Sequence, residues 1–172
     1  MISEALTIQI IILSRDRPDY LKETIQSVLN QKISREKIEI IISDNSDKND
    51  VKGMISQNYP NSNLKYIRRN PSVSLMKHFQ LIISECEGEY TVIFHDDDIM
   101  HPNYIKVMLP FIQKEGVAAV GCNSFVFNSD ISKTVGEMHK FKSVKTFIDE
   151  NDFLSNYMPW SIGGIAPFPG YI

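Results

Sequence analysis

The chain has few cysteines, no surplus of positive charge and no long hydrophobic run. Cys86 and Cys122 are the only cysteines in 172 residues and do not form a C-x-x-C pair. A structural zinc site and a thioredoxin-like redox motif therefore lack support, and reduced thiols in a cytoplasmic setting are the simpler expectation. Lysine and arginine total 18 against 21 aspartates and glutamates, a net charge of −3, which removes the electrostatic basis for wrapping nucleic acid. A local basic cluster of Lys65, Arg68, Arg69 and Lys77 is either a solvated face or suited to a small anion. No stretch approaches the ~20 apolar residues that span a bilayer. The first apolar run, from Ile8 to Leu13, is broken by Gln9 and followed at once by Ser14-Arg15-Asp16, so it is not a signal peptide. A soluble, cytoplasmic protein is expected, with peripheral attachment at the inner face of the membrane left open. No internal repeat or low-complexity segment occurs.

What is present is ordinary for a folded domain: 42% hydrophobic and 23% charged residues, enough to build one core without staples. Thr7 to Leu13 is too apolar to be half exposed and reads as a central strand of a sheet covered on both faces. Pro18 suits the first turn of a helix whose apolar face is Leu21, Ile25, Val28 and Leu29. The alternation then repeats. Ile38 to Ser43 reads as a strand, and Asp47 and Asp50 signal a helix running towards Asn58. After the Tyr59-Pro60-Asn61 break, Leu64 to Arg68 reads as a strand. Leu75, Phe79, Ile82 and Ile83 mark a helix closed by Gly88. Tyr90 to Phe94 is a fourth strand, and Pro102 opens a helix with inner residues Ile105, Met108, Leu109 and Ile112. A fifth strand is expected over Val117 to Phe127, and a further helix over 147–157. Four β-then-α units predict an α/β fold with a doubly wound, mostly parallel sheet and helices on both faces.

In open α/β sheets ligands bind beyond the carboxyl ends of the strands, and here those ends are acidic. The first strand delivers Ser14-Arg15-Asp16, the second Asp44-Asn45-Ser46-Asp47, and the fourth His95-Asp96-Asp97-Asp98. Three consecutive aspartates repel one another and cost several kcal/mol to desolvate without a counter-charge. A divalent cation, Mg2+ or Mn2+, is the natural partner of oxygen ligands, and it is commonly shared with substrate phosphates. The plainer readings are that Asp96 to Asp98 cap the following helix or form a solvated turn, that Asp16 is a helix cap, and that His95 simply ends its strand.

Three stretches together resemble the GT-A-fold glycosyltransferases of family 2. Thr7 to Leu21, followed by Ser27-Val28-Leu29-Asn30-Gln31, is similar to that family's opening strand, turn and first helix. Glu39 to Asp47 is similar to its second strand and acidic turn, and Gly88 to Ile99 to the approach to its D-x-D motif. The resemblance implies that Ser14, Asp16 and Asp44 line a nucleotide pocket, Asp44 accepting from the base, usually uracil, and Asp96 contacting the ribose. Asp97 or Asp98 would hold the Mn2+ or Mg2+ that bridges a diphosphate. Lys77, or Arg68, stands in for an arginine that many members carry. The implied protein is an inverting glycosyltransferase that moves a sugar from a nucleotide-diphosphate sugar, UDP-linked as first choice, to a saccharide or lipid-linked acceptor in surface-polysaccharide assembly. Residues 1–128 would be the nucleotide-sugar-binding core and 129–172 the truncated start of the acceptor side. No catalytic base is assignable after Asp98.

Two alternatives stand beside this reading. One is a nucleotide-sugar-binding module, inactive for want of that base. The other is a receiver-like signalling domain, disfavoured because its acidic pair follows the first strand and its phosphoacceptor the third.

Overall fold

Every residue of the strand β1, Ile8–Ser14, is buried, as expected of a run with apolar side chains on both faces of the pleat. The structure, a computed structural model, describes residues 7–34, 38–48, 50–128, 130 and 132–137. The helix expected over 147–157 lies outside them. β1 is central in a parallel sheet of order β3-β2-β1-β4, formed with β2 (Ile38–Asp44), β3 (Leu64–Arg68) and β4 (Tyr90–His95). The register sets Ser14 opposite Asp44 and Leu13 opposite His95. All three acidic stretches thus leave the sheet at one edge.

Four helices alternate with these strands: α1 (Pro18–Leu29), α2 (Asp50–Asn58), α3 (Leu75–Ser84) and α4 (Tyr104–Ile112). Right-handed crossovers put α1 and α2 on one face and α3, which returns the chain from β3 to β4, on the other. Packing agrees. Ile82 of α3 is buried with Ile11, Leu13 and Ile41, and Phe79 packs against the same cluster. On the opposite face Ile10, Ile12, Ile40, Ile42 and Val92 are buried, and Leu21, Ile25 and Val28 of α1 are almost fully covered. The sheet is doubly wound, as its sequence pattern predicts. Among the described residues no helix is long and apolar enough to cross a membrane.

Three local expectations need correction. The run from Val117 to Phe127 is not a fifth parallel strand. Only Phe125–Phe127 (β5) is a strand, paired antiparallel with Thr134–Glu137 (β6) in a separate two-stranded sheet. Val117-Ala118-Ala119-Val120-Gly121 offers small side chains and a glycine, which contribute little buried area to a sheet. The chain divides into two compact units after Val117, so the break falls inside this run. Helix α4 begins at Tyr104, with Asn103 as its N-cap, rather than at Pro102. Gly88 does not cap α3, whose C-cap is Glu85.

Gly88 is needed for a different reason. A Cβ there would lie 2.7 Å from the Gln9 Cβ and 2.9 Å from the Tyr90 carbonyl oxygen. Gln9 is itself fixed: its amide donates to Glu39 (2.7 Å) and its oxygen accepts from the Glu87 N–H (3.1 Å). Gly88→Ala is therefore expected to destabilise by about 1–3 kcal/mol through overpacking. A urea midpoint unchanged from the parent would show that the two segments separate freely.

Candidate functional site

The site is built around the turn from β1 to α1. Asp16 has φ 55°, a left-handed conformation that a short polar side chain tolerates better than most. Its surroundings hold it there. The Asp16 N–H donates to the Ser46 hydroxyl (2.7 Å), and its carboxylate accepts from the Asp47 N–H (3.1 Å). The Asn45 N–H donates to the Ser14 carbonyl (2.8 Å). Asp16 therefore ties the first turn to the second. It does not cap α1, whose N-cap is Arg17 with no side-chain cap bond.

Asp44 is fully buried. One carboxylate oxygen accepts from the N–H and hydroxyl of Ser46, the other from the Tyr66 hydroxyl (2.6 Å) and the Arg68 guanidinium (2.7 Å). Burial alone raises its pKa, but the Ser46, Tyr66 and Arg68 donors outweigh burial and hold the carboxyl below its ordinary value. Arg68 also donates to the Lys48 carbonyl (2.6 Å). Next to Asp44, Asn45 exchanges two hydrogen bonds with the backbone of Val73 (2.9 and 2.8 Å), and Ser72 donates to Asp47 (2.6 Å). The start of α3 is thereby pinned beside the second acidic turn.

The aspartate triplet differs residue by residue. Asp96 is 1% exposed and accepts from the Arg15 N–H (3.1 Å) and from Arg17. Burial pushes its pKa up, against the pull of Arg15, Arg17 and the Ser14 hydroxyl. That hydroxyl is buried without a well-formed hydrogen bond among the described residues. Asp97 is part-exposed and pairs with the other arm of the same Arg17 guanidinium. Asp98 is pushed up to about 6 by burial and by the Asp97 charge. The triplet is not a cap for α4. Its backbone is clamped by α1, where the Thr24 hydroxyl lies 2.9 Å from the Asp96 and Asp98 carbonyls. Further along, Ser27 accepts from the Met100 N–H (2.9 Å), and Gln31 bonds the His101 carbonyl (2.8 Å) and the Ile105 N–H (3.1 Å).

Ligand atoms of His95, Asp97 and Asp98 lie within 4.8 Å of one another. Two hard carboxylates and an imidazole so placed fit a divalent cation. Burial holds the His95 pKa below its usual value, which keeps the ring in the neutral form that coordinates. His95 ends its strand, as expected, and lies with the two aspartates.

Of the residues picked out in the sequence, Ser14, Asp16, Asp44, Asp96, Asp97 and Asp98 sit at one edge, stitched together by the hydrogen bonds above. Lys77 stands in the first turn of α3, where its ammonium forms no hydrogen bond or ion pair among the described residues. Sequence reasoning missed Arg17, which supplies the acidic cluster with an internal counter-charge. It also missed the buried polar stripe Thr24, Ser27 and Gln31, whose helical spacing on an otherwise apolar face was the available signal. A cavity of 240 Å³ lies on the α3 side and is lined by Ser43, Lys65, Arg69 and Glu85 among others. It includes none of the rim aspartates.

Comparison with known proteins agrees with the parallel sheet and its helices. The model of "Glycosyl transferase family 2" matches residues 9–168, and the chain belongs to that family. The abequosyltransferase RfbV of Salmonella typhimurium is 30% identical over 112 residues, which cover 64% of this chain and 34% of that protein. Among solved structures, the mannosyltransferase PcManGT of Pyrobaculum calidifontis, in complex with GDP-Man and Mn2+, has a TM-score of 0.61 at 14% identity, covering 70% of this chain and 36% of that one. Residues 1–349 of TarS from S. aureus, in complex with UDP-GlcNAc, give 0.55 at 21% identity, covering 62% and 31%. These likenesses show the α/β, GT-A-type fold, and the chain spans about a third of the length of each.

Proposed function

We propose that this chain binds a nucleotide-diphosphate sugar, UDP-linked, along the acidic rim together with Mn2+ or Mg2+. It would be the donor-binding part of an inverting glycosyltransferase whose acceptor is a saccharide or lipid-linked. The observation that carries this reading is the gathering of His95, Asp97 and Asp98 at the strand ends, beside the turns of β1 and β2. A TarS structure holding UDP-GlcNAc and a PcManGT structure holding GDP-Man and Mn2+ support it.

His95, Asp97 and Asp98 would hold the cation, which would neutralise charge developing on the departing diphosphate. Asp96, fixed by Arg15 and Arg17, would face the ribose. Ser14 and Asp16 would shape the wall between ribose and base. Asp44 would serve the base side, where its grip on Tyr66 and Arg68 would fix the shape that a uracil meets. Lys77, in the first turn of α3, would meet the phosphates.

The test is thermal melting above pH 6, where Asp98 is ionised. UDP is expected to raise the Tm with Mn2+ or Mg2+ and to do little in a chelator, with GDP giving a smaller shift. An equal shift in the chelator would remove the cation from this reading, and a larger shift with GDP would reverse the choice of base.

A further inference from the structure

We propose that Arg17 is a resident counter-cation of the donor site, holding Asp96 and Asp97 together until a divalent ion takes Asp97, and then free to meet the anionic nucleotide. Binding of metal and binding of nucleotide are thereby coupled. The inference rests on the metal-dependent reading above and concerns how that site is loaded.

The two guanidinium nitrogens of Arg17 each lie 2.5 Å from a carboxylate oxygen, one on Asp96 and the other on Asp97. Asp96 is buried, and the Arg15 N–H already bonds its second oxygen (3.1 Å). Asp97 is the shared member: it is held by Arg17 and also belongs to the set with His95 and Asp98. A cation bound through Asp97 would sit beside the positive guanidinium, and like charges that close repel. Metal alone therefore binds against Arg17, which must turn away or share its carboxylate.

Turning away is open to it. The Arg17 side chain is 44% exposed, and it stems from the N-cap of α1, where the helix end favours anions. A diphosphate arriving with the metal gives the displaced guanidinium a new anionic partner, with the planar fork that suits phosphate. Each ligand then removes a cost that opposed the other, and linkage requires the gain to be equal in both directions.

The experiment is titration of Mn2+ into the 172-residue chain, followed by loss of the free-ion EPR signal, with and without saturating UDP. In Arg17→Gln, Mn2+ without nucleotide is expected to bind about five- to tenfold more tightly than in the parent, and the factor by which UDP tightens Mn2+ is expected to shrink by a similar amount. Unchanged or weaker Mn2+ binding by a variant that melts like the parent would overturn the role of Arg17 and leave the metal site standing. Absence of Mn2+ binding in parent and variant, with UDP present, would overturn the metal reading and this inference with it. Should Arg17→Gln fail to fold, Arg17→Met takes its place: it keeps much of the side-chain length without the charge, so tighter Mn2+ binding supports the proposal and unchanged binding overturns it.

Discussion

Replacing Asp97 by alanine is expected to abolish the metal-dependent stabilisation by UDP, a loss of roughly 5–10 °C in Tm at a ligand concentration of about a hundred Kd. The variant's own fold should barely change. Asp97 is part-exposed and its link to Arg17 is a surface pair, a kind of contact worth at most about 1 kcal/mol. That contrast makes the measurement specific, because a general weakening would lower the Tm without ligand as well. Asp98→Ala should behave in the same way, and His95→Ala should lose only part of the shift, since an imidazole is a weaker partner for a hard ion than a carboxylate. A full UDP shift retained by Asp97→Ala in Mn2+ would place the cation elsewhere.

Asp44→Ala should do the reverse, harming the fold before any ligand is added. Its carboxylate is 0% exposed and is the partner of Tyr66, Arg68 and both donors of Ser46. Removing one side of such a buried pair leaves its partners unpaired, at a cost of about 3–5 kcal/mol. The pH dependence has a definite sign. Asp44 has a folded pKa below its ordinary value of 3.8, so it stabilises above that pH, and the contribution is lost as pH falls through the lowered value. Asp98 runs the other way. Its pKa is pushed up to about 6, so without metal it makes stability decline as pH rises from about 4 to 6, a decline softened by its partial exposure. Urea unfolding across pH 2–7 should therefore show the Asp44→Ala variant approaching the parent below about pH 4 while sharing its slope between 4 and 6. A constant difference at all pH values would mean that Asp44 has the same pKa in the folded and unfolded chain.

Much of this architecture was readable from residue order. Ile8 to Leu13 and Ile38 to Ser43 are apolar on both faces, which only a doubly covered sheet accommodates, and the helices between them force parallel pairing. Once the strands are parallel, whatever follows them gathers at one edge. Ser14, Asp16, Asp44 and Asp96 to Asp98 were legible as a group for that reason. The expected strand over Val117 to Phe127 misled because a short apolar run signals burial without naming a partner. Gly88 misled because a glycine after a helix reads as a cap, when the need for it comes from Gln9 of β1.

Sequence alone determined the α/β alternation, the parallel sheet and the collection of carboxylates at its carboxyl edge, since periodicity and chain connectivity act locally and leave few other solutions. Tertiary structure decided how those carboxylates are neutralised and oriented. Arg17 reaches Asp96 and Asp97 only because α1 packs beneath the loop after β4, where Thr24, Ser27 and Gln31 hold it. His95 joins Asp97 and Asp98 only because that loop folds back on the end of its strand. Charge interactions depend on distances between segments far apart in the chain, and packing sets those distances.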